Sequence, residues 1–399
     1  MRILLIAMSN SIHTARWVRQ VSDQRWQFDL FPSIDCGITH PDLRNIKVHH
    51  TFSGDRGGID SSVSVGGVPL GSKFAAYGAA EVLKKLFPHY LARRLARFIK
   101  RISPDIIHSM EIQHAGYLTL EAMKLVKGKF PPWIVSNWGS DISLFGRLKE
   151  HEQKIREVLT SCDYYHCECE RDVKLARSFG FQGAVLPVFP NAGGFDINAV
   201  SGLMQPGPVS HRSLIMLKGY QHWAGRALVG LRALERCKDI LGGYTVVIYS
   251  STADVEIAAK LFQNSTGISV KIISAESPHK EILYYHGHAR VSIGLSIGDA
   301  ASTSMLEAIA MGSFPIQSWT ACADEWIEDG RTGILVHPED PDMVEQAIRK
   351  ALADDRLVDK AAEENGRTVI EKLEQSKVRR KAIELYAGVA KERGIMDGS

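Results

Sequence analysis

Short apolar runs alternate with longer amphipathic stretches along almost the whole chain. The first half carries RILLIA (2–7), FDLFPS (28–33), DIIHS (105–109), WIVSN (133–137), YYHCEC (164–169) and AVLPVF (184–189). The second half restarts with SLIMLK (213–218), TVVIYS (245–250), VKIIS (270–274), VSIGLS (291–296) and FPIQS (314–318). Apolar runs of this length, separated by helix-length segments, predict parallel strands joined by crossover helices. Between the two sets lies PNAGGFDINAVSGLMQPGPVSHRS, rich in Gly and Pro, which predicts a linker over residues 191–212. The predicted organisation is therefore a first α/β domain over 1–190, a second over 213–376, and a basic amphipathic helix within 377–399. Open parallel sheets bind ligands beyond the C-terminal ends of their strands, so two such domains facing one another place the active site in a cleft.

At 399 residues the chain is long enough for two cores, and its 45% hydrophobic and 23% charged residues are those of a soluble globular protein. No run of about 18 apolar residues is present, and MRILLIAM is too short for a signal segment and lacks a cleavage pattern; it reads as a first strand. Six scattered cysteines point to a reducing cytoplasm. Cys162, Cys167 and Cys169 with His166 do not have the paired spacing of a metal site, and read as buried thiols. A net charge of +3 implies no global attraction to nucleic acid.

The densest chemistry lies in VSIGLSIGDAASTSMLEAIAMGSFPIQS (291–318). A strand leads into small residues and then a helix start, with Gly312 at its expected C-terminal cap. Uncapped amides and the helix dipole at such a start favour phosphate, which suits a nucleoside diphosphate with Ser302 and Thr303 contributing backbone N–H groups. Asp299 falls in the loop and Glu307 about one turn into the helix, so one carboxylate can reach a sugar while the other accepts from ribose hydroxyls. The plain alternative is that Asp299 merely starts the helix and Glu307 is solvated.

LEAIAMGSFPIQS resembles the stretch that follows the second carboxylate in glycosyltransferase family 4 of the GT-B fold, whose pattern is E-x-F-G-L-x-x-L-E-A-M-A-x-G-x-P. Asp299 stands for the first Glu, Ala301, Ser302 and Thr303 replace Phe-Gly-Leu, and Glu307, Ala308 and Gly312 match. PDIIHSM (104–110), PVFPNAGGFD (187–196) and EWIEDGRTGILVHPED (325–340) resemble further family segments in similar order. The resemblance implies two Rossmann-like domains and transfer of a sugar, with retention, from a nucleotide-diphosphate sugar to a hydroxyl of a carbohydrate or lipid-linked acceptor in polysaccharide biosynthesis. It implies no metal. Cations replace it, and Lys218 and Arg226, beside Gly219 and Gly225 after the strand SLIMLK, are the candidates for holding the leaving diphosphate. Relatives place an Arg before the Lys-Gly; here Arg226 follows it.

The acceptor side is expected in the first domain. SNSIHTARWVRQV offers Ser9, Asn10, Ser11 and His13, with helix capping by Ser11 equally open. His108 ends DIIHS and Glu111 follows it. In WIVSNWGSD (133–141) Trp138 stands where the family often has His, while Asp141 matches.

Residues 54–73, rich in Gly and Ser, predict a mobile loop. Residues 84–101 carry seven Lys or Arg, with Leu91, Leu95, Phe98 and Ile102 at helical spacing. Attraction to anionic lipid at the inner face of the membrane and an ordinary crossover helix are both open readings. Two further alternatives stand beside transfer, an epimerase-like enzyme acting on donor alone and a catalytically silent nucleotide- or glycan-binding protein.

Overall fold

The computed structural model describes residues 1–54, 57–274 and 276–395. Residues 55 and 56 of the predicted loop and 396–399 of the predicted terminal segment lie outside the described residues. The chain divides into two compact units, residues 1–193 together with 378 onward, and residues 194–377.

Unit 1 holds β1 (Arg2–Ala7), β2 (Gln27–Pro32), β3 (Lys47–Ser53), β4 (Ser64–Pro69), β5 (Ile106–Met110), β6 (Trp133–Ser136), β7 (Tyr164–His166) and β8 (Ala184–Val185). They form one parallel sheet in the order β4-β3-β2-β1-β5-β6-β7-β8. Alternation along β1 shows why its run is apolar throughout. Leu4 and Ile6 enter the core on one face, while Ile3, Leu5 and Ala7 enter the core on the other. On the second face the helix Gln375–Glu392 contributes Val378, Ala382, Leu385, Tyr386 and Val389.

Unit 2 holds β9 (Leu214–Lys218), β10 (Thr245–Tyr249), β11 (Ser269–Ile272), β12 (Ala289–Gly294), β13 (Phe314–Ser318) and β14 (Ile334–Val336), parallel in the order β11-β10-β9-β12-β13-β14. Each sheet has helical crossovers, and each is a Rossmann-like arrangement.

Several expectations change. The stretch expected as a loop over 54–73 contains β4, an exposed edge strand whose Gly-Gly and Pro mask its strand character. The stretch expected as a linker over 191–212 carries the helix Ile197–Ser201. It also carries a buried arginine, Arg212, whose guanidinium donates to the carbonyls of Ala289 and Met311. The basic helix Tyr90–Ile102 buries Ala92, Leu95, Phe98 and Ile99 in the core beside Phe31, so its apolar stripe packs on the sheet as a crossover helix does. Among the described residues no helix is long and apolar enough to cross a membrane.

Candidate functional site

In unit 2 the chain leaves β9 for β10 and β11 on one side and resumes at β12 on the other. Connections diverge at such a reversal and leave a crevice at the strand C-termini. Lys218 ends β9 at this edge, and residues 295–302 follow β12 there. The two connections are joined by backbone hydrogen bonds, Arg226 N–H to Leu295 C=O at 3.0 Å and Ile297 N–H to Ala224 C=O at 2.9 Å. Gly219 is required after Lys218, because a Cβ at that position would stand 2.7 Å from Ser251 Cα.

Lys218 pairs in register with Tyr249 and shares its face of the sheet. Its ammonium lies 4.6 Å from the centre of the Tyr220 ring. His222, on the same connection, is made harder to protonate by burial and then by the charges of Lys218 and Arg226. Arg226 is held differently from Lys218. Its Nε donates to Glu339 at 2.8 Å and its Nη1 to the carbonyls of His222 and Gly225. Glu339 therefore offsets much of the charge expected of Arg226, and the guanidinium braces the loop.

Glu307 lies in the helix Thr303–Ala310 and is only 5% exposed, so it is not a solvated helix residue. A buried carboxylate needs a partner. It has one in His279, the first residue of the helix His279–His288, whose Nε2 lies 2.6 Å from Glu307 Oε1. Behind it His286 is fully buried with Nδ1 on Ser292 Oγ at 2.8 Å, and burial pushes its pKa down to about 4, leaving it neutral at pH 7. The phenol of Tyr249 bonds to Ser304; burial, with the Glu307 charge adding, pushes its pKa up. Tyr249, Ser304, Glu307 and His279 thus form one polar group, and Lys218 ends the neighbouring strand on the face that carries Tyr249.

The helix start carries no side-chain cap. Ser302 is the N-cap, but its side chain takes no capping bond to the first-turn N–H groups and instead meets Ser304 Oγ at 3.0 Å. Asp299 stands three residues before that cap, so it does not begin the helix. It is half-buried, with Oδ1 accepting the Ala300 N–H at 3.0 Å. Thr303 opens the helix, which ends before Gly312 at φ 74°.

Unit 1 has its own reversal between β1 and β5. Ser11 caps the helix Ile12–Val21 by accepting the His13 N–H at 3.2 Å, and the His13 ring lies 5.4 Å from that of Trp138. Glu111 and Asp141 are buried and turned onto backbone. Glu111 accepts the N–H groups of His114 (2.9 Å) and Ala115 (2.5 Å), and its own backbone sits at φ 102°. Asp141 accepts those of Ile112 (3.1 Å) and Trp138 (2.9 Å), and so holds together the connections after β5 and β6. Burial pushes the Asp141 carboxyl well up, with Glu111 and Asp172 adding repulsion.

His108, expected at the acceptor side, is fully buried instead. Its Nδ1 lies 2.7 Å from the Tyr386 hydroxyl and its Nε2 2.7 Å from Ser136 Oγ, while Trp17 Nε1 donates to the same tyrosine at 2.8 Å. The strand register explains the difference. His108 shares the face of Ile106 and Met110, which is covered by the helix carrying Tyr386.

Burial raises the Glu111 pKa to about 7, against the lowering effect of the N–H bonds it accepts. A carboxyl whose folded pKa exceeds its unfolded value of 4.5 costs no stability below pH 4.5 and weakens the fold as pH rises toward 7. The expected loss is at most about 3 kcal/mol. Unfolding midpoints of Glu111→Gln should therefore fall less than wild type between pH 5 and 7.5 in urea titrations. Parallel curves would show that Glu111 does not titrate there.

His279, Tyr249 and His222 escaped the sequence reading. The available signal was positional: each follows or ends a predicted strand at the edge where parallel sheets bind ligands. Cys162, Cys167 and Cys169 are buried and in no disulfide, with Cys167 donating to the Cys169 carbonyl.

Residues 80–164 match the family model described as Glycosyl transferase 4-like, and residues 258–369 match Glycosyl transferases group 1. The fold is similar to that of a sucrose-phosphate synthase from Thermosynechococcus elongatus (TM-score 0.69, 15% identity, covering 98% of this chain and 100% of that one). It is also similar to HepE of Anabaena in complex with UDP-glucose (0.68, 14%, 97% and 100%). A third similar structure is the α,α-trehalose 6-phosphate synthase of Burkholderia multivorans (0.69, 13%, 100% and 99%). A search of curated proteins gave no match.

Proposed function

We propose, from the premise that this chain belongs to the GT-B glycosyltransferases of the family-4-like group and uses a nucleotide-sugar donor, that unit 2 binds the donor between Lys218 and Glu307. From there the sugar passes, with retention, to a hydroxyl of a carbohydrate or lipid-linked acceptor held by unit 1. The observation that carries this is Glu307, a buried carboxylate in a helix whose start has no side-chain cap, on the Lys218 side of the sheet.

Glu307 would exchange His279 for ribose hydroxyls. The amides around Ser302 and Thr303 would take the diphosphate, with Lys218 stabilising the charge that grows as the glycosidic bond breaks. Asp299 would orient the sugar, and the leaving phosphate would serve as base for the acceptor hydroxyl. With lysine and helix dipole in these places no metal is needed, so chelator should leave turnover unchanged. HepE is described in complex with UDP-glucose, which makes uridine diphosphate glucose the first donor to try. Six buried cysteines, none in a disulfide, suit a reducing cytoplasm.

The test is nucleotide release from donor with and without a hydroxyl acceptor. Acceptor-dependent release supports transfer; conversion of donor alone would favour an epimerase, and binding without turnover a silent protein. Asp299→Asn should bind uridine diphosphate as wild type does, yet lose affinity for the donor sugar and transfer about tenfold slower or worse, because a charged acceptor is lost. Equal losses for nucleotide and nucleotide sugar would instead show that Asp299 supports its loop.

A further inference from the structure

The helix Lys73–Leu86 of unit 1 buries one residue, Ala76. Its inward side runs Ala76, Ala79, Ala80 and Leu83, at the spacing of a packed face. Its outward side is apolar too: Phe74 (78% exposed), Tyr77, Val82 (58%) and Leu86 (67%), continued by Phe87 at the cap. A helix apolar on both sides belongs in an interior, and exposed apolar surface on this scale marks an interaction site. Val68 and Leu70, just before it, are exposed as well.

Charge selects the occupant. Residues 73–101 carry eight Lys or Arg and one carboxylate, Glu81, which is already beside Lys84 at 3.7 Å. Lys73, Lys84 and Lys85 border the apolar side, and Arg93, Arg97, Lys100 and Arg101 are exposed on the following helix. A second copy of the chain would bring like charges together, since a two-fold contact sets the same patch against itself. An anionic lipid surface accepts both the apolar side chains and the cations.

We propose that this helix, with Phe87, docks the protein on an anionic membrane. The surface differs from the basic helix behind it, whose apolar stripe is spent on the core. Its position bears on the acceptor. The helix start abuts Gly37 and Gly54, just past β2 and β3, so it leaves the sheet on the C-terminal edge, where Glu111 and Asp141 follow β5 and β6. Resting on the transfer reading for this step alone, the acceptor is lipid-borne and presented from the bilayer.

Sedimentation of the full chain with vesicles tests the proposal. Binding is expected to mixed phosphatidylcholine and phosphatidylglycerol, with little to phosphatidylcholine alone, and should fall as salt rises. Lys84→Ala with Lys85→Ala should lower partitioning about 30-fold, and Phe74→Ser with Leu86→Ser about tenfold or more. All these side chains are exposed, so unfolding midpoints should not move. Equal partitioning to both vesicle types, unchanged partitioning of the variants, or a wild-type dimer that Phe74→Ser with Leu86→Ser dissociates would each overturn it. The thermal shift given by uridine diphosphate glucose should be the same in every variant. Its absence with vesicle binding intact would sink the donor site and leave the membrane surface standing.

Discussion

Lys218→Ala is expected to lower turnover at saturating donor by about 10²- to 10³-fold while weakening donor binding far less. The diphosphate carries charge in the ground state, but that charge grows as the bond to the sugar breaks, and only the difference in stabilisation between the two states changes the chemical step. Lys218 has the geometry for this. It ends β9 at the crevice, its backbone is fixed by pairing with Tyr249, and its ammonium lies over the ring of Tyr220. Arg226→Ala should cost much less, because Glu339 already holds that guanidinium at 2.8 Å. Rapid-quench measurement at saturating donor decides the matter. A Lys218→Ala enzyme with wild-type turnover would remove Lys218 from the chemistry, and equal losses in the two variants would show that Arg226 abandons Glu339 for phosphate.

Glu307→Ala is expected to weaken nucleotide binding about 5- to 150-fold, the cost of a charge-assisted hydrogen bond of roughly 1 to 3 kcal/mol. The loss should fall on nucleotide and nucleotide sugar alike, since the proposed contact is with the ribose. His279 supplies the control. In the free protein it occupies the carboxylate at 2.6 Å, so a ribose must displace it. His279→Ala should leave nucleotide affinity unchanged or raise it, whereas a positioning role for His279 would lower it. Calorimetric titration of uridine diphosphate into the two variants separates these outcomes, and unchanged affinity in Glu307→Ala would refute the ribose assignment.

What was legible in the chain follows from burial. Strands covered on both faces read as unbroken apolar runs, so β1, β5, β9, β10, β12 and β13 were visible, together with the loop and helix that carry Asp299 and Glu307. β3 was not, because its KVHHTFS places His50 and Ser53 at buried positions beside Val48 and leaves Phe52 half-buried; His50 is paired with Asp35 and Thr39 there. β4 was hidden by its two glycines and closing proline, and β14 by being three residues long. At the site, residue types could suggest a carboxylate and a cation but not their partners. Glu339 lies 113 positions from Arg226, and His279 lies 28 from Glu307. Only the fold brings them together. His108 shows the converse, a histidine at a strand end that faces Tyr386, 278 positions away, in place of solvent.

The central claim is that unit 2 holds a nucleotide sugar between Lys218 and Glu307. Amide hydrogen exchange of the full chain, with and without saturating uridine diphosphate glucose, tests it most directly. The expected result is slowed exchange in residues 218–226 and 296–307, where the connection after β9 and the helix start without a side-chain cap would close on the diphosphate and ribose. Binding of the donor with no protection in either segment, or with protection confined to residues 1–193, would contradict it.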